Sequence, residues 1–394
     1  MAPSAATRLL LLALGAMFLQ QSFASMGRNL PPIIAPAILD DLRLEAEWIG
    51  VYVAIASLSS LVFQLGCGSF ILRHGALRVS QAALVMLAIG LAVPVAGPLA
   101  LFAISAVFAG GGSAVSTPAS SHILGRYSPP KQAPLVFSLK QTAVPAGLLA
   151  AGLLGPWIVH EWGWRAALLA AAVASLLFAF ALQPVRATFD GDRDPARAFR
   201  LGDFAATLRV AVQGAELRRL SLASFAFNGL QTVFVSYFVA YAVALGHGLA
   251  AAGFVFSLAT LIAVPGRVFW GWVGSTHATP RALMGALSLA MAASAALMGA
   301  AGATGSLVLL GLVATGLSLT ALSWHGVLLS EAARLAPPGL AGTATGGVLS
   351  FGQLGALALP LVYALVLKLT DSHGLGFLLT GLPAVAVGAL LLRR

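Results

Sequence analysis

The chain alternates apolar stretches with short polar breaks from one end to the other. Each stretch is about twenty residues or more, enough to cross about 30 Å of hydrocarbon as a helix. The pattern predicts about twelve spans, over 9–37, 48–72, 80–96, 98–124, 135–159, 164–185, 219–245, 249–274, 282–300, 305–330, 340–369 and 374–392. One long polar interval, Arg186 to Arg219, divides six spans from six and reads as a linker. The expected class is an all-α membrane protein, with a six-helix bundle at 1–185, a linker at 186–218 and a second six-helix bundle at 219–394.

The amino-terminal segment could pass for a secretory signal, with Arg8, an apolar run and small residues near Ala24. Its apolar run continues to Pro36, however, and its removal would break the six-plus-six plan, so it is read as the first span. Composition agrees with a membrane chain: 59% of residues are hydrophobic and 9% charged, against about 25% charged in soluble domains. The single cysteine, Cys67, excludes an intramolecular disulfide and argues against a cysteine metal site.

Charge sets the orientation. With the amino terminus on the inner side, 16 of the 22 Lys and Arg residues fall on that side and three, Arg43, Arg165 and Lys368, on the other. The positive-inside rule then places both termini and the linker in the cytoplasm, for a multi-pass protein of the cytoplasmic membrane. The net charge of +10 needs no nucleic acid, since basic cytoplasmic loops account for most of it. Arg28, Lys140 and Arg267 remain, all inside predicted spans, while all twelve acids fall in loops or near span ends.

The two halves echo each other. Ser138 and Gln141 in the fifth span match Ser350 and Gln353 in the eleventh, each pair followed by a Gly-rich helix and a proline. Gln64 and Gly68 in the second span match Arg267 and Gly271 in the eighth. His122 with Pro129 and Pro130 matches His325 with Pro337 and Pro338 at the ends of the fourth and tenth spans. The common order of these matches predicts duplicated, pseudo-symmetric halves.

At these positions the chain resembles the major facilitator superfamily over its whole length. The resemblance is carried by the loop "GSFILRHGALR" from Gly68 to Arg78, the "GWR" at Gly163 to Arg165, the "GRVFWGWVG" of the eighth span and the six-linker-six plan. Gly68, Arg73, Gly75 and Arg78 match the family's conformational loop motif, but Leu72 stands where that motif has an aspartate and Ser275 takes the acidic place in the second half. In the family that acid helps latch the halves; without it, Arg73 and Arg78 are expected to turn to helix-end carbonyls or lipid phosphate. The resemblance implies two bundles around a central cavity that opens alternately to each side. "GLLAAGLLGP", Gly147 to Pro156, partly resembles the fifth-span motif of the family's antiporters.

Three intramembrane cations without intramembrane acids suit a pathway for anions, because a desolvated cation is stabilised when the substrate supplies the missing charge. An arginine in the eighth span with a lysine in a fifth- or eleventh-type span resembles the organic-anion carriers of the family. Each cation also has a structural reading. Lys140 can snorkel or brace, Arg267 can brace the fifth or eleventh helix, and Arg28 can satisfy carbonyls freed by Pro31 and Pro32 or draw anions to the outer mouth. Gln141, Asn228, Gln231, Tyr241, His325 and Gln353 are further candidates, together with Gln20, Gln21, Asn29, Ser116, Thr117, Ser121, Thr142, Tyr237, Thr320, Trp324 and Ser350. The spacing of Asn228, Gln231 and Tyr241 is taken to place them near one face of the seventh helix.

The expected function is secondary active transport of a small solute, a carboxylate or a small inorganic anion, by alternating access. The alternative is export of lipophilic compounds through an aromatic cavity, where Trp270, Trp272 and Phe234 would matter more than Arg267. Proton coupling would need the substrate's own proton or titration of His122 or His325, both placed near cytoplasmic helix ends. No clustered nucleophile, base or metal set suggests an enzyme, and no phosphate-loop spacing is present. No cofactor or metal is expected, and the expected partners are the solute and the lipid bilayer, with no nucleic acid and no protein partner implied.

Overall fold

The computed structural model describes residues 5–129, 133–196, 202–336 and 341–393. Pro130, Lys131, Arg197, Arg200, Pro337, Pro338 and Arg394 lie outside the described residues, as do the side chains of Ser138 and Ser275. The described residues contain helices and no strand.

Twelve crossings follow from the helix lengths. Ten apolar helices correspond one to one with predicted spans: α1 (Ala6–Ile33), α2 (Trp48–His74), α3 (Ala76–Ala96) and α4 (Leu99–Tyr127), then α7 (Ala215–Ala244), α8 (Leu249–Gly274), α9 (Pro280–Ala303), α10 (Leu307–Leu335), α11 (Ala344–Thr370) and α12 (His373–Leu392). Between them runs one apolar stretch, Leu139–Phe189, of 51 residues. At 1.5 Å per residue it would be about 77 Å long, more than twice the hydrocarbon thickness. Gly163 divides it, with φ 80° and ψ 167°, a conformation open to glycine and strained for other residues. The two pieces, 139–162 and 164–189, are α5 and α6, so the "GWR" segment opens α6 at this reversal.

Span ends differ from the sequence expectation where turn chemistry outweighs hydropathy. The first predicted span ends early at Ile33, and a separate short helix, Ala35–Leu42, begins with Pro36 in its first turn. The third begins earlier than expected, because Gly75, at φ 94°, joins His74 to Ala76 in a single residue. Asp190, just past α6, completes that turn. Its carboxylate accepts from Leu77 N at 2.7 Å and Arg78 N at 3.0 Å, an N-terminal cap supplied from more than a hundred residues away. Burial pushes the Asp190 carboxyl above its ordinary value, opposed by these two N–H groups and by Arg186. Asp190→Ala is expected to lower stability by about 1–2 kcal/mol, a lost cap, read as a lower melting temperature in detergent.

The helices pack as two bundles. Within the first, α1 lies along α5, α2 along α4, and α3 against α4 and α6; within the second, α7 lies along α11 and α9 along α12. The bundles meet along two seams, α2 with α11 and α5 with α8. The linker helix Gly202–Val212 packs on α11 and touches α2. An even number of crossings puts both termini and the linker on one face, called here the termini face. Toward the opposite face the seams are closed by small residues. A Cβ on Gly50 would lie 2.7 Å from Pro360 O and from Ala364 Cβ, and one on Gly253 would lie 2.5 Å from Gly152 O. Rings fill the remaining space there: Tyr237 stacks on Tyr363 at 4.0 Å, and Tyr241 on His373 at 5.0 Å.

Candidate functional site

Four crossings break inside the membrane. In three of them the break lies three residues before a proline: Val115 before Pro118 in α4, Thr142 before Pro145 in α5 and Ile262 before Pro265 in α8. Proline has no N–H for the carbonyl four residues back, so each leaves a backbone oxygen without its helical donor. In α10 the helix lapses at Leu322 to Trp324 and restarts at His325. Irregular backbone at membrane depth is tolerated only where protein groups or a polar cavity satisfy it. The breaks therefore attract polar side chains to one level.

Arg267 meets two of these breaks. Its Nη1 donates to Gln141 O at 2.6 Å, the oxygen Pro145 has freed, and its Nε donates to Leu322 O at 2.9 Å. It thereby ties α8 to α5 and α10, and its second amino group makes no further bond among the described residues. Bracing of α5 was one of the two expected roles; bracing of the eleventh helix is replaced by α10. Trp270 Nε1 donates to Leu319 O at 2.8 Å, one turn earlier in α10.

Lys140, next to Gln141, is 1% exposed and does not snorkel. Its Nζ donates to Gln21 Oε1 of α1 at 3.0 Å, and Thr117 Oγ1 of α4 donates to the same oxygen at 3.1 Å. Gln20 Nε2 donates to Ser116 Oγ at 2.9 Å, while Gln20 Oε1 is buried without a partner. On the other bundle, Trp324 Nε1 donates to Gln231 Oε1 at 3.1 Å and His325 stacks on Trp324 at 3.8 Å, with its Nδ1 buried and unpartnered. Lys140 and Arg267 make no ion pair among the described residues, so an amine and a guanidinium flank Gln141 with no carboxylate paired to either.

The internal repeat is visible in these contacts. Gln64 matches Arg267 and Gln353 matches Gln141 in sequence; in space Gln353 Nε2 donates to Gln64 Oε1 at 3.2 Å, as Arg267 donates to Gln141 O. The same offsets carry Gly50 and Ala364 onto Gly253 and Gly152, the close contacts of the two seams. The seams are thus equivalent in position and unequal in charge. One holds a neutral amide pair, the other a lysine and an arginine.

Several candidates lie elsewhere. Arg28 was expected near the outer mouth or on carbonyls freed by Pro31 and Pro32; instead its guanidinium donates to the hydroxyls of Ser57, Ser60 and Ser113, between α1, α2 and α4. Seven residues along α1 separate it from Gln21, about 10 Å. Asn228, Gln231 and Tyr241 do not share a face. Asn228 donates to Gly352 O of α11 at 2.8 Å, Gln231 meets α10, and Tyr241 reaches Met298 O of α9 at 3.4 Å. At 100° per residue, thirteen residues turn Tyr241 about 140° away from Asn228. His325 stands at the break in α10, ten residues or about 15 Å from its termini-face end at Leu335, so it is not near the termini-face end of its crossing. His122 is near one, bonded to Asp192 Oδ2 at 2.7 Å, with Arg126 on the other oxygen. Phe234 packs on Phe238 and Phe256, and Trp272 is exposed on the molecular surface, so the aromatic set of the alternative reading is not gathered with Trp270 at the centre.

The loop motif forms the turn between α2 and α3: Gly75 bends it, Gly68 is exposed on α2, and Arg73 and Arg78 point outward. Arg78 Nη1 reaches only Gln81 Oε1, at 3.4 Å, and neither arginine caps a carbonyl among the described residues. Sequence reasoning missed the serines around Arg28, although Ser57 and Ser60 show the i, i+3 spacing of one helix face. It also missed the proline register behind the breaks.

Twelve crossings in two bundles, joined along two seams around a buried polar level, define a membrane carrier rather than an enzyme. The family model for the Major Facilitator Superfamily matches residues 17–360, and the chain belongs to that superfamily. Among solved structures, a POT family transporter in complex with 5-aminolevulinic acid superposes with a TM-score of 0.76 at 16% identity, over 96% of this chain and 95% of that one. A D-xylose-proton symporter gives 0.75 at 16%, over 99% and 98%. A bacterial homolog of the human lysosomal transporter Spinster, inward-facing and occupied, gives 0.72 at 14%, over 96% and 95%. At such identities the likeness speaks for the fold. A search of curated proteins finds no match.

Proposed function

We propose that this transporter carries a small anion, a carboxylate or a small inorganic anion, by alternating access between its bundles, 1–185 and 219–394, about the linker 186–218. The observation that carries this reading is the buried Lys140 and the half-buried Arg267 on either side of Gln141, with no carboxylate paired to either among the described residues. Each keeps N–H groups that no acceptor takes among the described residues. A buried charge without a counter-charge is costly, and an anion that bridges the two would relieve that cost in both bundles at once. Gln21 and Thr117 on the first bundle and Trp324, Gln231 and His325 on the second surround the same level. Arg28 lies further along α1 as an additional positive charge on the route.

The bias of Lys and Arg supports cytoplasmic termini and a place in the cytoplasmic membrane. Without an acid at the centre, the substrate exchanges for another anion or enters as a weak acid with its own proton. His122 is committed to Asp192, so pH-gradient-driven transport is expected to persist in the His122→Gln, His325→Gln double variant. Its loss in proteoliposomes would assign coupling to one of these rings.

Ligand-induced thermal shift in detergent tests the substrate class. One of a panel of small carboxylates, nitrate, nitrite and cyanate is expected to stabilise the protein, by about 2.7 kcal/mol at one hundred times its dissociation constant. Lys140→Gln and Arg267→Gln should each abolish that increment, whatever their own starting stability. Stabilisation by lipophilic cations alone, unchanged in both variants, would overturn the anion reading.

A further inference from the structure

On the termini face α2 and α3 part, leaving an apolar groove of about 410 Å³. Val62, Phe63 and Phe70 of α2 form one wall, Met86 of α3 another, Val115 at the break in α4 the floor, and Phe204 of the linker helix closes one side. From Val62 to His74 the groove follows α2 for twelve residues, about 18 Å, close to the depth of one leaflet, about 15 Å of hydrocarbon. Its wall is apolar until the membrane surface, where the lining ends in His74 and Arg78.

Arg73, His74 and Arg78 are exposed, and none of them makes an ion pair among the described residues. Two carboxylates lie near them: Asp190 is turned inward onto Leu77 N and Arg78 N and is 3.6 Å from Arg186, and Asp194, whose N–H donates to Leu72 O at 2.8 Å, accepts from Ala196 N with its Oδ1. Leu72, where the related loop motif has an aspartate, is 38% exposed beside them, so α2 itself brings no acid to this end of the groove. An apolar trough one leaflet deep with positive charge only at its surface end matches the head-to-tail polarity of one molecule, a lipid with an anionic headgroup.

We propose that this groove is a binding site for an acidic phospholipid of the leaflet on the termini face. An acyl chain lies along α2 and α3, and the phosphate is held by Arg73, Arg78 and the His74 ring. Because the groove abuts the turn between α2 and α3, the linker helix and the α2 side of one seam, an occupant there stiffens the joint about which the bundles move.

Native mass spectrometry of the purified protein, titrated with phosphatidylglycerol or with phosphatidylcholine of the same acyl chains, tests this. Phosphatidylglycerol is expected to be retained at lower concentration. Arg73→Gln and Arg78→Gln should each weaken its retention about fivefold, as for a basic side chain near an anionic membrane surface. Leu72→Asp and the groove-filling Met86→Trp should weaken it too. Arg8→Gln, a basic position on the same face outside the groove, should leave it unchanged, and unaltered melting temperatures of the lipid-free variants establish that each is folded. Equal retention of the two lipids, or an Arg8→Gln loss as large as that of Arg78→Gln, would refute the site as diffuse attraction. Displacement by millimolar inorganic phosphate, with Met86→Trp silent, would refute the lipid and leave a free-phosphate contact.

Discussion

Arg267→Leu is expected to yield a transporter that neither binds its substrate nor keeps its stability, with a loss of about 2–6 kcal/mol. The figure comes from two backbone oxygens, Gln141 O and Leu322 O, each of which now accepts from the guanidinium. A buried acceptor left without a donor costs about 1–3 kcal/mol. Gln141 O has no helical alternative, because the residue four positions on is Pro145. Leucine fills similar space and offers no donor, so α5 and α10 lose a shared anchor at the level where both are already broken. Arg267→Lys separates anchoring from substrate recognition. A single ammonium can serve one carbonyl and retain part of the stability, but it cannot present two parallel N–H groups to a planar anion. Thermal melts with and without the stabilising anion read both quantities. If Arg267→Lys restores stability and also the full anion shift, the guanidinium is a brace and the anion is held by Lys140 alone.

The sequence-level pattern was sufficient for the class and for the pairing of the halves. Hydropathy fixes twelve crossings because a hydrocarbon solvent leaves the backbone no partner except its own helix. The duplicated segments relate the two seams to each other through Gln64 with Arg267 and Gln141 with Gln353, but that the members of each seam meet is seen only in the structure. Other features needed coordinates. The level of Lys140 in its helix is readable from Pro134 and from the rise per residue, but whether its chain turns to solvent or to Gln21 depends on α1 and α4, more than a hundred residues distant for one of them. Arg28 reads as an outer cation from its prolines, yet three serines from two other helices take it. His325 looks terminal because the segment after it is polar, while the helix in fact restarts there and continues to Leu335. The missing aspartate at Leu72 pointed to a weakened latch between the halves. The turn between α2 and α3 is held by Asp190, just past α6 and more than a hundred residues away, a partner that periodicity cannot name.

Gly253→Val is expected to leave the bundles folded and to slow transport by shifting the carrier away from the form closed on the face opposite the termini. Gly253 of α8 faces Gly152 of α5, and a Cβ there would lie 2.5 Å from Gly152 O and from Pro156 Cγ. The obstacle is backbone and a ring fixed to backbone, neither of which can rotate aside. Overpacking of this kind costs about 1–3 kcal/mol. Within one bundle that cost would fall on folding, but here the contact joins two bundles along a seam, and separation of the seam relieves it. The cost is therefore taken from the closed form alone, a shift of about 5- to 150-fold in the equilibrium between forms. Spin labels at His160 and Leu249, at the opposite-face ends of α5 and α8, should report a longer distance in the variant. Turnover should fall while the anion-induced thermal shift survives, since Lys140 and Arg267 lie toward the other end of the seam. Gly50→Val, its counterpart on the α2 and α11 seam, should act in the same direction, because its Cβ would meet Pro360 O and Ala364. An unchanged label distance with normal turnover in both variants would show that the closed seams are not part of the transport cycle.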